Sequence, residues 1–225
     1  MKLNTLLDCV ENSQITINGS WRSLSVHRTV IFTGEGSITI GDNVQIKSGA
    51  VIYGGTDIGD DTIIGHNAVI EHDCQLGRGV FIGNGCTLRP ETVVGNECTL
   101  GHLSVVEGCT TIGNGSLIHA QCHITKGVTI GNNVFIAPLF VGANDPVMQH
   151  RRCMVFGKFK PTGYRIGDNA RIGISVSVLP GVSIGSNAVI GAGSLVTCDI
   201  PAGQVWMGSP ASYRRDVPPE EYLID

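Results

Sequence analysis

Large rings and charge are both scarce in this 225-residue chain: aromatics make up 5% and charged residues 15%. So few rings suit a narrow interior of aliphatic and small side chains rather than a wide core. The net charge of −4 leaves no basic footprint for a nucleic-acid partner. No apolar run approaches membrane-spanning length, so no membrane partner is expected. The segment from Met1 to Val10, which contains Asp8, lacks a signal-peptide core. Cytoplasmic residence is the expectation. Among the eight cysteines, Cys9, Cys109, Cys153 and Cys198 show no metal-type pairing and no Cys-x-x-Cys motif. Cys74, Cys86, Cys98 and Cys122 recur at a position held elsewhere by small residues, where a thiol packs as a small hydrophobe. Such a set fits a reducing compartment, not a disulfide framework.

What the chain does have is a beat of six. From Ile40 to Ile136 every sixth residue is aliphatic, 17 times in succession, and the beat resumes from Ile166 to Val196. Four residues after each of those 17 stands a small side chain such as Val44, Ala50 or Thr56, with Phe140 the one exception. Glycine often follows the aliphatic residue, as in Ile40-Gly41 and Ile58-Gly59. A helix would smear such a period around its circumference, and plain strand alternation repeats every two residues. A short strand and a tight corner accommodate it. The small residue points in, the next out, the aliphatic one in, and glycine opens the turn. Three sides of six close a coil of 18 residues, and stacked coils pair strand on strand at roughly 4.8 Å.

This pattern resembles the hexapeptide-repeat family, whose fold is the left-handed parallel β-helix. The resemblance implies an all-β chain: a cap segment over 1–33, the helix over 34–200 with an inserted loop at 142–165, and a tail over 201–225. Outward residues stack in columns 18 apart. One column reads Gln45, Ile63, Phe81, Thr99, Leu117, Phe135, and the next Val51, Val69, Thr87, Val105, His123, Val141. The third is polar: Asp57, Gln75, Val93, Thr111, Thr129. Long exposed apolar strips mark interfaces. Two such strips on a triangular rod favour three rods around an axis, so a homotrimer is expected, which is also the family's usual state.

His123 is the single ionisable group in its column, one coil below the place where the repeat is interrupted. The insert, Gly142 to Arg165, is dense in polar residues, and a polar break in a regular repeat reads as a functional loop. Asn144 falls on a corner above Lys126. In hexapeptide acyltransferases such a loop stands near the thioester end of a coenzyme A groove between subunits. The branch that N-acetylates nucleotide-linked amino sugars opens the loop with Thr-Asn-Asp followed by Pro-Arg. This chain keeps Asn144-Asp145 but has alanine before them and no Pro-Arg at that spacing. In the xenobiotic and galactoside branches a catalytic histidine stands where Asp145 does here. The stretches Ile190-Gly-Ala-Gly-Ser-Leu-Val196 and Met207-Gly-Ser-Pro-Ala211 resemble the family's closing coil and Gly-x-Pro-Ala motif. By that resemblance acetyl-CoA lies against Ile174, Ser175, Ala192 and Gly193, with Arg214 or Arg215 toward its phosphates.

His123 is the expected base, with Asp145 orienting it or holding the acceptor amine, and Asn144, His119 and Lys126 as acceptor contacts. His72, in Glu71-His72-Asp73-Cys74, resembles the catalytic stretch of some sugar and lipid A acyltransferases. It ranks second because it lies almost four coils below the loop. His119 and His123 cannot chelate one ion from one chain, since four extended residues span roughly 13 Å. No metal is expected. His66 and His102 read as solvated corner residues. No serine or cysteine is placed beside a base, so transfer is expected to be direct. The resemblance implies that acetyl-CoA N-acetylates a nucleotide-linked amino sugar. Saccharide O-acetylation is the nearest alternative. A γ-carbonic-anhydrase-like metal-binding β-helix is a third reading, although its histidine set and arginine–aspartate motif find no counterpart here.

Overall fold

Each outward residue and the aliphatic residue after it form a two-residue strand, as in Phe81–Ile82 and Val105–Val106. The computed structural model describes residues 15–19, 23–148 and 161–222, with 15–18 as backbone only. Strands of successive coils pair in parallel along three sheets. Among the described residues the polar wall holds nine strands, from Ile15–Asn18 to Ser183–Ile184. The aromatic wall begins at Ser25–Val26 and the valine wall runs from Ile31–Thr33 to Leu195–Val196. The result is the left-handed parallel β-helix that the beat of six implies. Its register is the one the columns require, with Phe81 beside Thr99, Val105 beside His123 and Thr111 beside Thr129.

The interior follows from the same arithmetic. Ile64, Ile70 and Ile82 are wholly buried, and so are the thiols of Cys74, Cys86 and Cys98. Small polar residues at inward positions satisfy themselves on the corner of the next coil. Thr62 donates to the Gly77 carbonyl at 3.1 Å and Ser116 to that of Gly131 at 2.8 Å. Burial disfavours the thiolate, pushing the Cys74 thiol up to about 11 and that of Cys86 up to about 12. Cys9 and Cys153 lie outside the described residues.

Corners are held by side chains that take the backbone N–H of the coil before. Asn96, Asn114 and Asn132 each accept such a bond, from Arg78, Asn96 and Asn114, at 2.9, 2.8 and 2.8 Å. The exposed histidines His66 and His102 belong to a similar ladder at another corner. The Asn84 N–H donates to His102 Nδ1 at 2.7 Å, and the ring of His66 lies 2.6 Å from the Ser48 hydroxyl.

The break is built around two rings. Thr129 pairs with Arg165 and Val141 with Ser177, so 24 residues lead from Val141 to Arg165 where six would serve. The next beat falls on Gly142, where a Cβ would come within 1.9 Å of Tyr164 Cε1. Tyr164 and Phe140 pack edge to face at 5.8 Å, both buried, and fill the volume that the missing aliphatic and small residues leave. The stem of the loop is closed by Thr162 N–H donating to the Asn144 carbonyl at 2.9 Å.

At the far end Gln204–Met207 adds a further strand to the aromatic wall, pairing in parallel with Val189–Ile190. The sheet thus runs past residue 200. The Tyr213-Arg214-Arg215 stretch lies in a strand, Ser212–Asp216, antiparallel to Gln204–Met207.

Candidate active site

The valine wall lies between two corners, and the residues singled out above fall on all three. On the wall His123 sits between Val105 and Val141. It is half-exposed, and its Nε2 lies 3.2 Å from Glu107 Oε1. Glu107 stands on the corner toward the polar wall, two residues after Val105. A carboxylate so placed fixes the ring's orientation and leaves the other ring nitrogen for proton transfer. Lys126 occupies the same corner, and the Asn144 side-chain amide donates to its carbonyl at 3.4 Å. The expected stacking of Asn144 over Lys126 is therefore present.

Asp145 holds the loop's own turn: its Oδ1 accepts the N–H of Val147 at 2.9 Å and of Met148 at 2.8 Å. A short polar side chain bonding two and three residues ahead stabilises such a turn. The group at His123 Nε2 is Glu107, which the sequence reading passed over. Its signal was present, because a corner carboxylate 16 residues before His123 falls on the adjoining corner one coil down. Glu107 and Lys126 also line a pocket of about 190 Å³ with Arg89, Glu91 and Cys109. In it the Cys109 thiol donates to Glu91 Oε2 at 3.1 Å. That bond holds the thiol's proton and raises its pKa.

The opposite corner carries the four residues assigned to the coenzyme. Ile174 and Ala192 occupy one column there, and Ser175 and Gly193 the next, tied by Gly193 N–H to the Ile174 carbonyl at 2.8 Å. Among the described residues nothing stands within 4 Å of where a Gly193 Cβ would be, so they leave this corner open. Ile174 is exposed. Arg214 reaches the same end, donating to the Met207 carbonyl at 3.4 Å, while Met207 packs beside Gly191. His119 starts this corner two coils lower, edge to face with Phe135 at 5.3 Å. His72 faces Asp73 at 2.9 Å on an exposed corner far down the rod. Among the described residues no group of three or more histidines, cysteines or carboxylates could hold a metal ion.

The chain matches the family described as bacterial transferase hexapeptide (six repeats) over residues 37–72, 73–108, 109–139 and 163–198. It is 54% identical over 52 residues to a galactoside O-acetyltransferase of Lactococcus lactis, a stretch covering 23% of this chain and 25% of that one. The chain spans less than half the length of the curated relatives it matches, 44% in the case of a Staphylococcus aureus protein. Among solved structures, a galactoside acetyltransferase in complex with coenzyme A is 31% identical, with a TM-score of 0.50. That match covers 60% of this chain and 73% of the other. A UDP-N-acetylglucosamine acyltransferase from Campylobacter jejuni shares the fold with a TM-score of 0.72 at 22% identity, over 84% and 74% of the two chains.

Proposed function

Because the chain belongs to the bacterial transferase hexapeptide family, we propose that it is an acetyl-CoA-dependent acetyltransferase acting on a saccharide. Transfer is direct, in a cleft between copies of a homotrimer. The observation that carries this reading is the His123–Glu107 pair, set on the wall between the open Ile174–Ala192 corner and the corner from which the loop departs. A galactoside acetyltransferase that binds coenzyme A supports the coenzyme assignment.

The thioester supplies the acetyl group, and the protein supplies position and proton transfer. Ile174, Ser175, Ala192 and Gly193 hold the pantetheine, and Arg214 faces its phosphates. His123 takes the proton from the attacking group, and Glu107 balances the imidazolium that results. Asn144 and Lys126 hold the acceptor from the loop side, with Asp145 shaping the loop and His119 lining the coenzyme side. Holding both reactants in one cleft contributes several kcal/mol, of the kind measured for oriented intramolecular reactions.

For the acceptor we propose a nucleotide-linked amino sugar, on the strength of Asn144-Asp145 opening the loop. A sugar hydroxyl is the second reading, favoured by the galactoside acetyltransferase relatives and by a histidine–carboxylate pair, which a hydroxyl needs more than an amine does. Steady-state assays with acetyl-CoA against UDP-linked amino sugars and against galactosides decide between them. His123→Ala is expected to lower kcat by about 100-fold or more, the usual weight of a general base, with the KM for acetyl-CoA little changed. Full activity in that variant, together with loss in His72→Ala, would move the base to His72.

A further inference from the structure

On the polar wall, where the loop rejoins the helix, a pocket of about 470 Å³ opens beside Gly127 and Gly181. That is within the usual size range of small-molecule sites. It is lined by the outward column Thr129, Arg165 and Ser183 and by Thr162 of the loop stem. Arg165 is exposed, and its guanidinium meets no carboxylate and no other acceptor among the described residues. The other described arginines differ. Arg78 pairs with Glu97, Arg89 with Glu71, and Arg171 and Arg215 with Glu221. Arg214 donates to a carbonyl and Arg28 has a partner of its own.

The neighbours of Arg165 are donors too. The hydroxyls of Thr129, Thr162 and Ser183 make no hydrogen bond among the described residues. At this corner the N–H groups of Cys109 and Gly127 donate to the coil beneath at 2.9 and 3.3 Å, and Gly181 makes no such bond among the described residues. One nearby carboxylate opposes this, that of Asp199, which is committed to the Ser183 N–H at 2.8 Å. A free guanidinium ringed by hydroxyls suits an oxyanion with several acceptor oxygens.

We propose that this pocket binds the phosphate groups of a phosphorylated ligand. On the acetyl-transfer reading above, on which only this placement rests, they are the diphosphate of the acceptor, laid across the Lys126 corner with its reacting group at His123. Six residues separate His123 from Thr129, a path of at most about 20 Å, so an extended sugar nucleotide suits the span.

The test is isothermal titration of the full chain with inorganic pyrophosphate, UDP and coenzyme A separately. The proteins are wild type, Arg165→Gln, Arg165→Lys and the control Arg78→Gln, each checked for an unchanged melting temperature. Pyrophosphate and UDP are expected to bind wild type and Arg78→Gln alike. Binding should be tenfold or more weaker in Arg165→Gln and partly restored in Arg165→Lys, with coenzyme A unaffected. Failure of pyrophosphate and UDP to bind wild type, or equal binding in Arg165→Gln, overturns the proposal. A parallel loss of coenzyme A binding in Arg165→Gln overturns the assignment to the acceptor. Arg165-dependent UDP binding by a protein that acetylates no sugar would leave the phosphate site standing and remove the acetyl-transfer reading.

Discussion

At Gly142 volume is exchanged between two parts of the chain. The beat calls for an aliphatic side chain there, and Tyr164, arriving from the far end of the loop, takes the space instead. Gly142→Ala should therefore destabilise by about 1–3 kcal/mol, the usual cost of overpacking, measured by urea denaturation. An unchanged midpoint would mean that the tyrosine is not seated in the core. On the proposed mechanism Glu107 acts through His123, so Glu107→Gln should lower kcat by about tenfold without raising the KM for acetyl-CoA or lowering the melting temperature, with partial rescue in Glu107→Asp. A purely structural role would lower the melting temperature together with kcat. The thiols divide by position. Cys198 is exposed and should be alkylated first, exposed Cys109 more slowly because Glu91 holds its proton, and Cys74, Cys86, Cys98 and Cys122 only on unfolding. Peptide mapping after brief iodoacetamide treatment reads this directly.

A coil is the smallest element with a stability of its own to discuss, because two-residue strands bury nothing alone. The asparagine ladder ties coil to coil. Asn114→Ala removes the acceptor for the Asn96 N–H and should cost about 1 kcal/mol, seen as a lower midpoint with unchanged circular dichroism. The stem of the loop closes where the Thr162 N–H meets the Asn144 carbonyl at 2.9 Å, which predicts that the loop can be excised without the coils. Replacing residues 145–161 with two glycines should leave the melting temperature within a few degrees and abolish acetyl transfer. Unfolding on excision would make the loop part of the scaffold.

For the molecule as a whole, two of three walls present apolar columns, which the proposed trimer would bury. Sedimentation equilibrium should give a trimer, and Val105→Glu, a charge in the middle of the valine wall, should dissociate it. A monomeric wild type would remove the shared cleft and with it the proposed mechanism. The buried thiols also set an alkaline limit. The unfolded chain gives up these protons near pH 9, while folded Cys74 and Cys86 keep theirs to about pH 11 and 12. Their contribution is thus complete below pH 9 and lost as pH rises from there. Melting temperature should fall above pH 9, less steeply in Cys86→Ala.

Counting alone assigned the walls, the outward columns and the inward thiols, because in stacked coils paired strand residues lie a fixed multiple of the period apart. It also placed Asn144 above Lys126, a separation of 18. What the period cannot express is which side chains turn toward each other across a corner, or where the chain returns after leaving the beat. Glu107 meeting His123, Tyr164 entering the space above Gly142, and Arg165 emerging without a partner among the described residues all depend on rotamers and on the path of the loop. Those were decided by packing in three dimensions, where the requirement to fill volume and satisfy charge selects among the neighbours that spacing leaves possible.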